Sequence, residues 1–265
     1  MTSAREPAAG AAAALGQAVE WTCQTLWLTQ RREPELVELQ ARRGSTGYAH
    51  YIVSRAGLLP DAEWTGALYV LPPALVDHLR ERCRALEPDR YLGQTLEAGA
   101  GALRRLRPQA PDPILGQLSR RVGGGPLPQA WAALPPSGDP HRDWLQAAMA
   151  LREGRALSHY RAASARGLAP LELLELTALQ PGADAELPQR LFRWSDQEVA
   201  DARASLRRRG WLGPEPSPTE SGRQASADIE AETELWSATL LGDLGEAGLA
   251  AVAAAAAEFW PGSDS

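Results

Sequence analysis

A capped amphipathic helix near residue 200 constrains the fold of this chain more than any other feature. In RWSDQEVADARASLRRRGWL, Arg193 to Leu212, Ser195 and Glu198 form the Ser-x-x-Glu pattern of a capping box, which fixes the helix start. The apolar positions at three- and four-residue spacing are Val199, Ala202 and Leu206. Gly210 is expected to end the helix, and the segment WLGPEPSPTESGR that follows can form a small two-stranded β wing.

Helical periodicity also accounts for most of the remaining sequence. From about residue 11 to residue 166 the apolar pattern is helical and is punctuated by Pro and Gly. One long helical segment runs from Asp139 to about Ala165, and GLAPLELLELTAL predicts a further helix. An Ala-rich stretch from Ile229 to Phe259 predicts one last long helix. The fold class is therefore expected to be all-α, with almost no strand.

A segment rich in Pro and Gly, residues 108–140, is the best boundary between two parts of the chain. It has room for short helices around Ile114–Arg121 and Gln129–Leu134. We therefore predict a multi-helical N-terminal domain of residues 1–137. A degenerate winged helix-turn-helix domain with a long C-terminal helix is predicted for residues 138–265.

The composition excludes several kinds of chemistry. All 27 basic residues are Arg, which excludes Schiff-base lysines and the lysine of a phosphate-binding loop. The four His and two Cys are scattered without the spacing of a metal site, so no metal and no cofactor is expected. No apolar run is long enough to cross a membrane, and two free thiols suit the cytoplasm.

The exposed face of the capped helix argues against DNA reading. Positions opposite the buried stripe are Gln197, Ala200, Asp201, Ala204 and Arg208, with Asp196 and Arg207 at the edges. The half that would contact bases thus offers carboxylates, which phosphates repel, and the net charge of the chain is −6. The arginines at 207–209 stand where cations favour the helix dipole, so they also suit a structural role. DNA remains a partner in the alternative interpretation.

Polar residues on an otherwise apolar stripe predict a small-molecule site. In the helix after Asp139 the stripe of Trp144, Ala148 and Leu151 continues to a polar group. That group is Arg152, Arg155, Ser158 and His159. One interpretation is a pocket for an anionic or carbonyl-bearing ligand, with Arg155 and His159 as catalytic residues because His moves protons near neutral pH. In the other, Arg155 pairs with a carboxylate such as Glu153 or Glu172, and His159 is a hydrogen-bonded core histidine.

Three further residues are candidates for the same ligand site. Tyr51 and Arg55 are four residues apart in GYAHYIVSRAG, so on a helix they could clamp a ligand. Tyr69, shortly before Pro72, could close the cavity, although packing in the core explains a tyrosine there equally well.

The order of elements resembles known helix-turn-helix proteins. A helix, a short helix, a capped helix ending LRRRGWL, a wing with Thr219, Gly222 and Arg223, and a long last helix resemble the MarR-type winged-helix proteins. The pieces YIVSRAGLL, LYVLPPALV, LREGRALSH and WSDQEVADARASLRRRGWL are similar to the SalK-like helix-turn-helix proteins of actinobacterial natural-product gene clusters. This resemblance implies a winged-helix fold. It also implies one of two roles, either the regulation of genes or the binding and conversion of a natural product.

Two functions follow as hypotheses. The first is a small-molecule-binding protein of natural-product biosynthesis, including a cofactor-independent acid–base enzyme of the cyclase, isomerase or lyase type. The alternative is a MarR-like, ligand-responsive regulator that binds DNA as a homodimer joined by its terminal helices. A non-catalytic scaffold for a biosynthetic complex is a third reading.

Overall fold

The described residues of this computed structural model are 10–16, 56–57, 59–84, 88–190, 192–241 and 243–259. Within these ranges the chain is helical and contains no β-strand, as the sequence predicts for an all-α fold. The helices before residue 140 are α1 (Trp64–Ala67), α2 (Pro73–Arg84), α3 (Pro88–Leu106), α4 (Ile114–Ser119) and α5 (Pro126–Ala132). The proposed ligand clamp of Tyr51 and Arg55 lies outside the described residues.

The central helix is α6, Pro140–Ala165, and its bounds confirm the prediction for this segment. Asp139 caps its start, because the carboxylate accepts a hydrogen bond from the backbone N–H of His141 at 3.0 Å. The turns from Trp144 to Leu151 are buried throughout. Helix α6 packs against α3, α4 and α5 of the N-terminal part and against a later helix, α10 (Glu220–Leu241).

A helix-turn-helix unit follows, formed by α7 (Pro170–Ala178), α8 (Leu187–Arg190) and α9 (Asp196–Arg208). The predicted capping box is present: Ser195 Oγ accepts from Glu198 N at 3.3 Å, and Glu198 Oε2 accepts from Ser195 N at 2.9 Å. The predicted buried face is also confirmed, since Val199, Ala202 and Leu206 are all buried. Gly210 ends the helix with a φ of 71°, in the left-handed region that glycine favours.

The segment predicted as a two-stranded wing is shorter than expected. Among the described residues it has a single antiparallel bridge, between Leu212 and Pro218, and no strand. The turn after it is tightly tied. Thr219 Oγ1 donates to Gly210 O at 2.6 Å and accepts from Gly222 N at 3.1 Å, while Arg223 donates to Pro218 O at 2.8 Å. The Thr-x-x-Gly-Arg pattern therefore joins the end of α9 to the start of α10.

The prediction of one long helix from Ile229 to Phe259 was wrong. The structure has two helices, α10 (Glu220–Leu241) and α11 (Gly245–Phe259), bent by 119° relative to each other. Gly245 has a φ of 64°, a conformation that side chains disfavour in a helix. The break lets α11 turn back onto α4 instead of projecting away from the core.

Both parts of the chain share one main core. It contains Trp131 and Trp144 as well as Leu241 and Val252 from the last two helices. Hydrogen bonds also join the parts; among them, Tyr69 Oη donates to Leu168 O at 3.0 Å, and Trp194 Nε1 donates to Val70 O at 3.1 Å. The division into domains at residues 137 and 138 stays a prediction.

Candidate functional site

Arg155 lies at the interface between α6 and α10. Its guanidinium donates to Glu234 Oε1 from Nη2 at 2.9 Å and from Nε at 3.3 Å, and it also contacts the carboxylate of Glu230. The Arg155 side chain is 29% exposed, so this three-residue ion pair is only partly screened by water. Two carboxylates thus face one guanidinium, which leaves no net positive charge here to attract an anion.

His159 lies one helical turn further along α6, against the same helix. Its Nδ1 is 3.2 Å from Thr233 Oγ1, and the Thr233 hydroxyl donates to Ile229 O at 2.8 Å. Because that hydroxyl has used its proton, Nδ1–H of His159 is the donor and Nε2 carries the lone pair. Burial, and then the charge of Arg155, lower the pKa of His159 to about 4. Glu230 Oε2 is 3.6 Å away and is also paired with Arg155, so the His159 ring has a cation as well as an anion beside it. The imidazole is therefore neutral at pH 7.

The other predicted site residues are spread more widely. Arg152 pairs with Glu153 at 3.0 Å and not with the carboxylates that hold Arg155. Ser158 is half-buried on α6. Tyr69 stacks on Tyr160 with ring centroids 5.1 Å apart, and burial followed by the Glu172 charge raises the pKa of Tyr69. The structure brings Arg155 and His159 together, and it places Tyr69 in the contact with the helix-turn-helix unit.

Little space remains beside Arg155. The cavity that Arg155 lines, together with Gly16, Leu151 and Trp236, has a volume of about 10 Å³. That volume is near the lower limit for holding one water molecule. In this conformation the Arg155 and His159 cluster is a packed helix interface, which agrees with the interpretation that Arg155 is ion-paired. Its carboxylate partners are Glu230 and Glu234, however, and not Glu153 or Glu172.

A much larger cavity lies between α4, α5 and the first turns of α6. Its volume is about 420 Å³, which falls within the range of about 300–1,000 Å³ typical of small-molecule sites. The walls are mainly apolar and rigid, and they include Trp131, Trp144, Ala147, Leu134, Pro113 and Pro136. Gly116 of α4 also lines it, and a Cβ there would meet no atom nearer than Arg120 Nη1 at 4.0 Å.

Gln146 and Asp143 bring polar groups from α6 to this cavity. Gln146 is buried, and its Nε2 donates to Leu134 O at 2.9 Å. Asp143 Oδ1 accepts from Ser137 N at 2.7 Å and from Ser137 Oγ at 2.6 Å. These bonds hold the loop between α5 and α6 in place, so the cavity wall is formed before any ligand enters.

The exposed face of α9 has the composition that the sequence predicts. Asp196, Gln197, Ala200 and Asp201 are all exposed, and Gln197 Nε2 donates to Asp201 Oδ1 at 3.0 Å. The amide that could read a base is thus held by a neighbouring carboxylate. The Ser195 hydroxyl and backbone N–H lower the pKa of Glu198, so this acid stays ionised as a helix cap.

Two of the three clustered arginines at the end of α9 contact backbone carbonyls. Arg207 Nε donates to Gly213 O at 3.1 Å, in the loop after the helix. Arg209 donates to Arg166 O at 3.2 Å and to Gly167 O at 2.5 Å, which ties α9 to the turn after α6. Arg208 is exposed. These contacts support the interpretation that Arg207 and Arg209 have a structural role.

Some residues of these sites escaped the sequence interpretation. Glu230 and Glu234 are four residues apart, a spacing that puts both carboxylates on one helix face, but nothing local shows which arginine they meet. Trp131 lies in, and Gln146 lies shortly after, the Pro-rich segment that the sequence indicates as the boundary between two parts of the chain. The sequence feature that indicates this cavity is a Trp within the Pro-rich segment. It is followed by a polar residue on the buried stripe of the next helix.

The three-helix arrangement of α7, α8 and α9, with the tied turn leading to α10, defines a helix-turn-helix protein. A family model described as a helix-turn-helix family matches residues 12–260, and the chain belongs to this family. No curated protein matches the chain, and no solved structure does.

The described part of the chain has no group of three or more His, Cys, Asp or Glu placed to hold a metal ion. No single described helix is both long and apolar enough to cross a membrane. Helices α10 and α11 reach that length and apolar composition only when they are counted together as a bent pair.

Proposed function

We propose that this helix-turn-helix protein binds a small organic molecule in the cavity between α4, α5 and α6. The observation that carries the proposal is the cavity itself, about 420 Å³ in volume and lined by Trp131 and Trp144. Concave, mostly apolar spaces of this size with a few polar groups are typical of ligand sites. The resemblance to proteins of natural-product gene clusters favours a biosynthetic compound as the ligand.

The catalytic role of His159 and Arg155 stays a prediction. The neutral imidazole has the lone pair on Nε2 that a general base needs. Substrate would have to reach it between α6 and α10, where the cavity beside Arg155 is about 10 Å³. Ligand binding in the larger cavity does not depend on this chemistry. The proposed function is therefore ligand binding, and acid–base catalysis is an additional activity that the protein would have only if a substrate reached His159.

A ligand-responsive regulator is the second candidate, and membership of a helix-turn-helix family favours it. In this case α9 would enter a DNA groove. Its exposed face has Asp196 and Asp201 in its first half, and Arg207 and Arg209 are hydrogen-bonded within the protein. A phosphate backbone is recognised mainly by cationic groups, and this face supplies few. The geometry therefore supports ligand binding better than sequence-specific DNA reading.

Thermal unfolding with a panel of small aromatic compounds tests the proposed function. A ligand present at about 100 times its Kd stabilises the folded state by about 2.7 kcal/mol. We expect compounds that raise the melting temperature of the wild type to lose this effect with Gly116→Leu, because leucine fills the cavity. Gly93→Leu is the matched control, since Gly93 is also a helical glycine and its Cβ would meet nothing within 4 Å. Equal stabilisation of wild type and Gly116→Leu by every compound would overturn the proposal.

A further inference from the structure

The side-chain amide of Gln146 has a defined orientation in the cavity wall. Its Nε2 lies 2.9 Å from Leu134 O and 3.5 Å from Pro135 O. Carbonyl oxygens only accept hydrogen bonds, so the atom facing them must be the nitrogen, and the oxygen Oε1 must point away. Oε1 accepts no hydrogen bond from any residue within the described ranges.

Oε1 of Gln146 is not closed off from solvent, so water or a ligand can supply the donor that the protein does not. Gln146 is 9% exposed and lines the cavity, so a ligand that displaces water there must itself supply a donor to keep this oxygen hydrogen-bonded. An oxygen of this kind selects for ligands with an N–H or O–H group, because a ligand that lacks the donor leaves the oxygen unpaired.

The charges around the cavity disfavour an anion. Asp112 and Asp143 both line it, and Arg120, directly after α4, is the one cation among the described lining residues; Asp112 and Arg120 are both exposed. Asp143 accepts from Ser137, and Asp112 accepts from Ile114 N at 2.8 Å, so both side chains are held in place. An anionic ligand would meet like charges while it lost its water.

The shape of the walls favours a flat ligand. Trp131 and Trp144 are large, rigid, almost fully buried aromatic side chains, and Pro113 and Pro136 stiffen the loops on either side. Aromatic rings pack well in offset or edge-to-face contact with such walls.

We propose that the cavity takes a neutral, planar aromatic molecule whose N–H or O–H group donates to Oε1 of Gln146. This inference rests on the proposed function and specifies its ligand class. It also differs from the sequence expectation of an anionic ligand at Arg155, whose charge is met by Glu230 and Glu234.

Three matched fluorescent probes test the ligand class. Carbazole is neutral and planar and carries one N–H; N-methylcarbazole lacks that donor, and carbazole-3-sulfonate adds a negative charge away from the nitrogen. With the full-length wild type we expect the N–H probe to bind roughly 3- to 10-fold more tightly than the N-methyl probe, the value of one hydrogen bond. We expect the sulfonate to bind at least about tenfold more weakly than the neutral N–H probe.

Substitutions test whether the probes bind in the cavity and whether Gln146 is their hydrogen-bond acceptor. In Gln146→Met the two neutral probes should bind within about twofold of each other, because the acceptor is gone. Gly116→Leu should weaken all three, and Gly93→Leu should match the wild type. Equal affinity of the wild type for the two neutral probes, tighter binding of the sulfonate, or a preference unchanged in Gln146→Met would overturn the ligand class. Binding that Gly116→Leu leaves intact, or no binding of any probe, would overturn the cavity and with it the proposed function.

Discussion

Arg155 of α6 and Glu234 of α10 are joined by two hydrogen bonds across a helix interface, although they are 79 residues apart in sequence. Together with Glu230 they connect the central helix to the helix that follows the helix-turn-helix unit. Arg155→Leu would leave two partly buried carboxylates without their cation. We expect it to lower the free energy of unfolding by about 1–2 kcal/mol, measured by urea denaturation.

Arg190→Leu is the matched control for this substitution. Its ion pair with Asp184 is more exposed, and such pairs contribute about 0–1 kcal/mol. Equal losses in the two variants would contradict the role of Arg155 as a connection between α6 and α10.

The buried imidazole of His159 should make stability depend on pH. The pKa of His159 is lowered to about 4 in the folded protein, whereas an unfolded histidine titrates near pH 6.5. Between these values the unfolded chain binds the extra proton, so the free energy of unfolding falls as the pH drops from about 6.5 to about 4. In His159→Gln this contribution is absent, and the difference from wild type should approach about 3 kcal/mol at the acid end.

The measurement is chemical denaturation of wild type and variant at several pH values in that window. His78→Gln serves as control because His78 is exposed on α2, and it should follow the wild-type curve. Parallel curves for the wild type and His159→Gln would show that the imidazole is not held neutral by the interface.

Gly222 is a sensitive point of the helix-turn-helix unit. A Cβ at this position would lie 2.1 Å from the backbone oxygen of Trp211, so the turn would have to open. We expect Gly222→Ala to destabilise the protein by about 2–3 kcal/mol. Gly93→Ala should instead be neutral or stabilising by up to about 1 kcal/mol, since its Cβ meets open space within a helix. Melting temperatures measured by circular dichroism would compare the two, and a mild effect of Gly222→Ala would contradict the tight turn.

The acidic face of α9 predicts weak, non-specific contact with DNA. Gel-shift experiments with DNA from upstream of the gene, at low and moderate salt, should give no complex that survives unlabelled random competitor DNA. Arg208→Ala should change little, because one exposed cation adds little to such binding. A competitor-resistant complex would instead support the regulator.

Local features of the fold were predictable from the sequence because neighbouring residues determine them. Ser195, Glu198 and Gly210 mark the bounds of α9 through capping and a left-handed turn, and the structure reproduces them. The break after α10 was missed because the Ala-rich pattern continues on both sides, although Gly245 marks it in the sequence.

The candidate sites depend on contacts between distant segments, which periodicity does not reveal. The polar stripe of α6 was identified correctly as partly buried, but the partners of Arg155 come from α10. Likewise, the cavity forms only when the Pro-rich loops pack Trp131 near Trp144. The composition of those loops indicates a boundary between two parts of the chain, and the cavity appears only in their packing.

A crystal structure of the protein soaked with carbazole tests the central claim most directly. We predict density for the probe in the cavity between α4, α5 and α6, beside Trp131 and Trp144, with its nitrogen within hydrogen-bond distance of Gln146 Oε1. Density beside Arg155 and His159 instead, or an empty cavity at saturating probe, would contradict the proposed function.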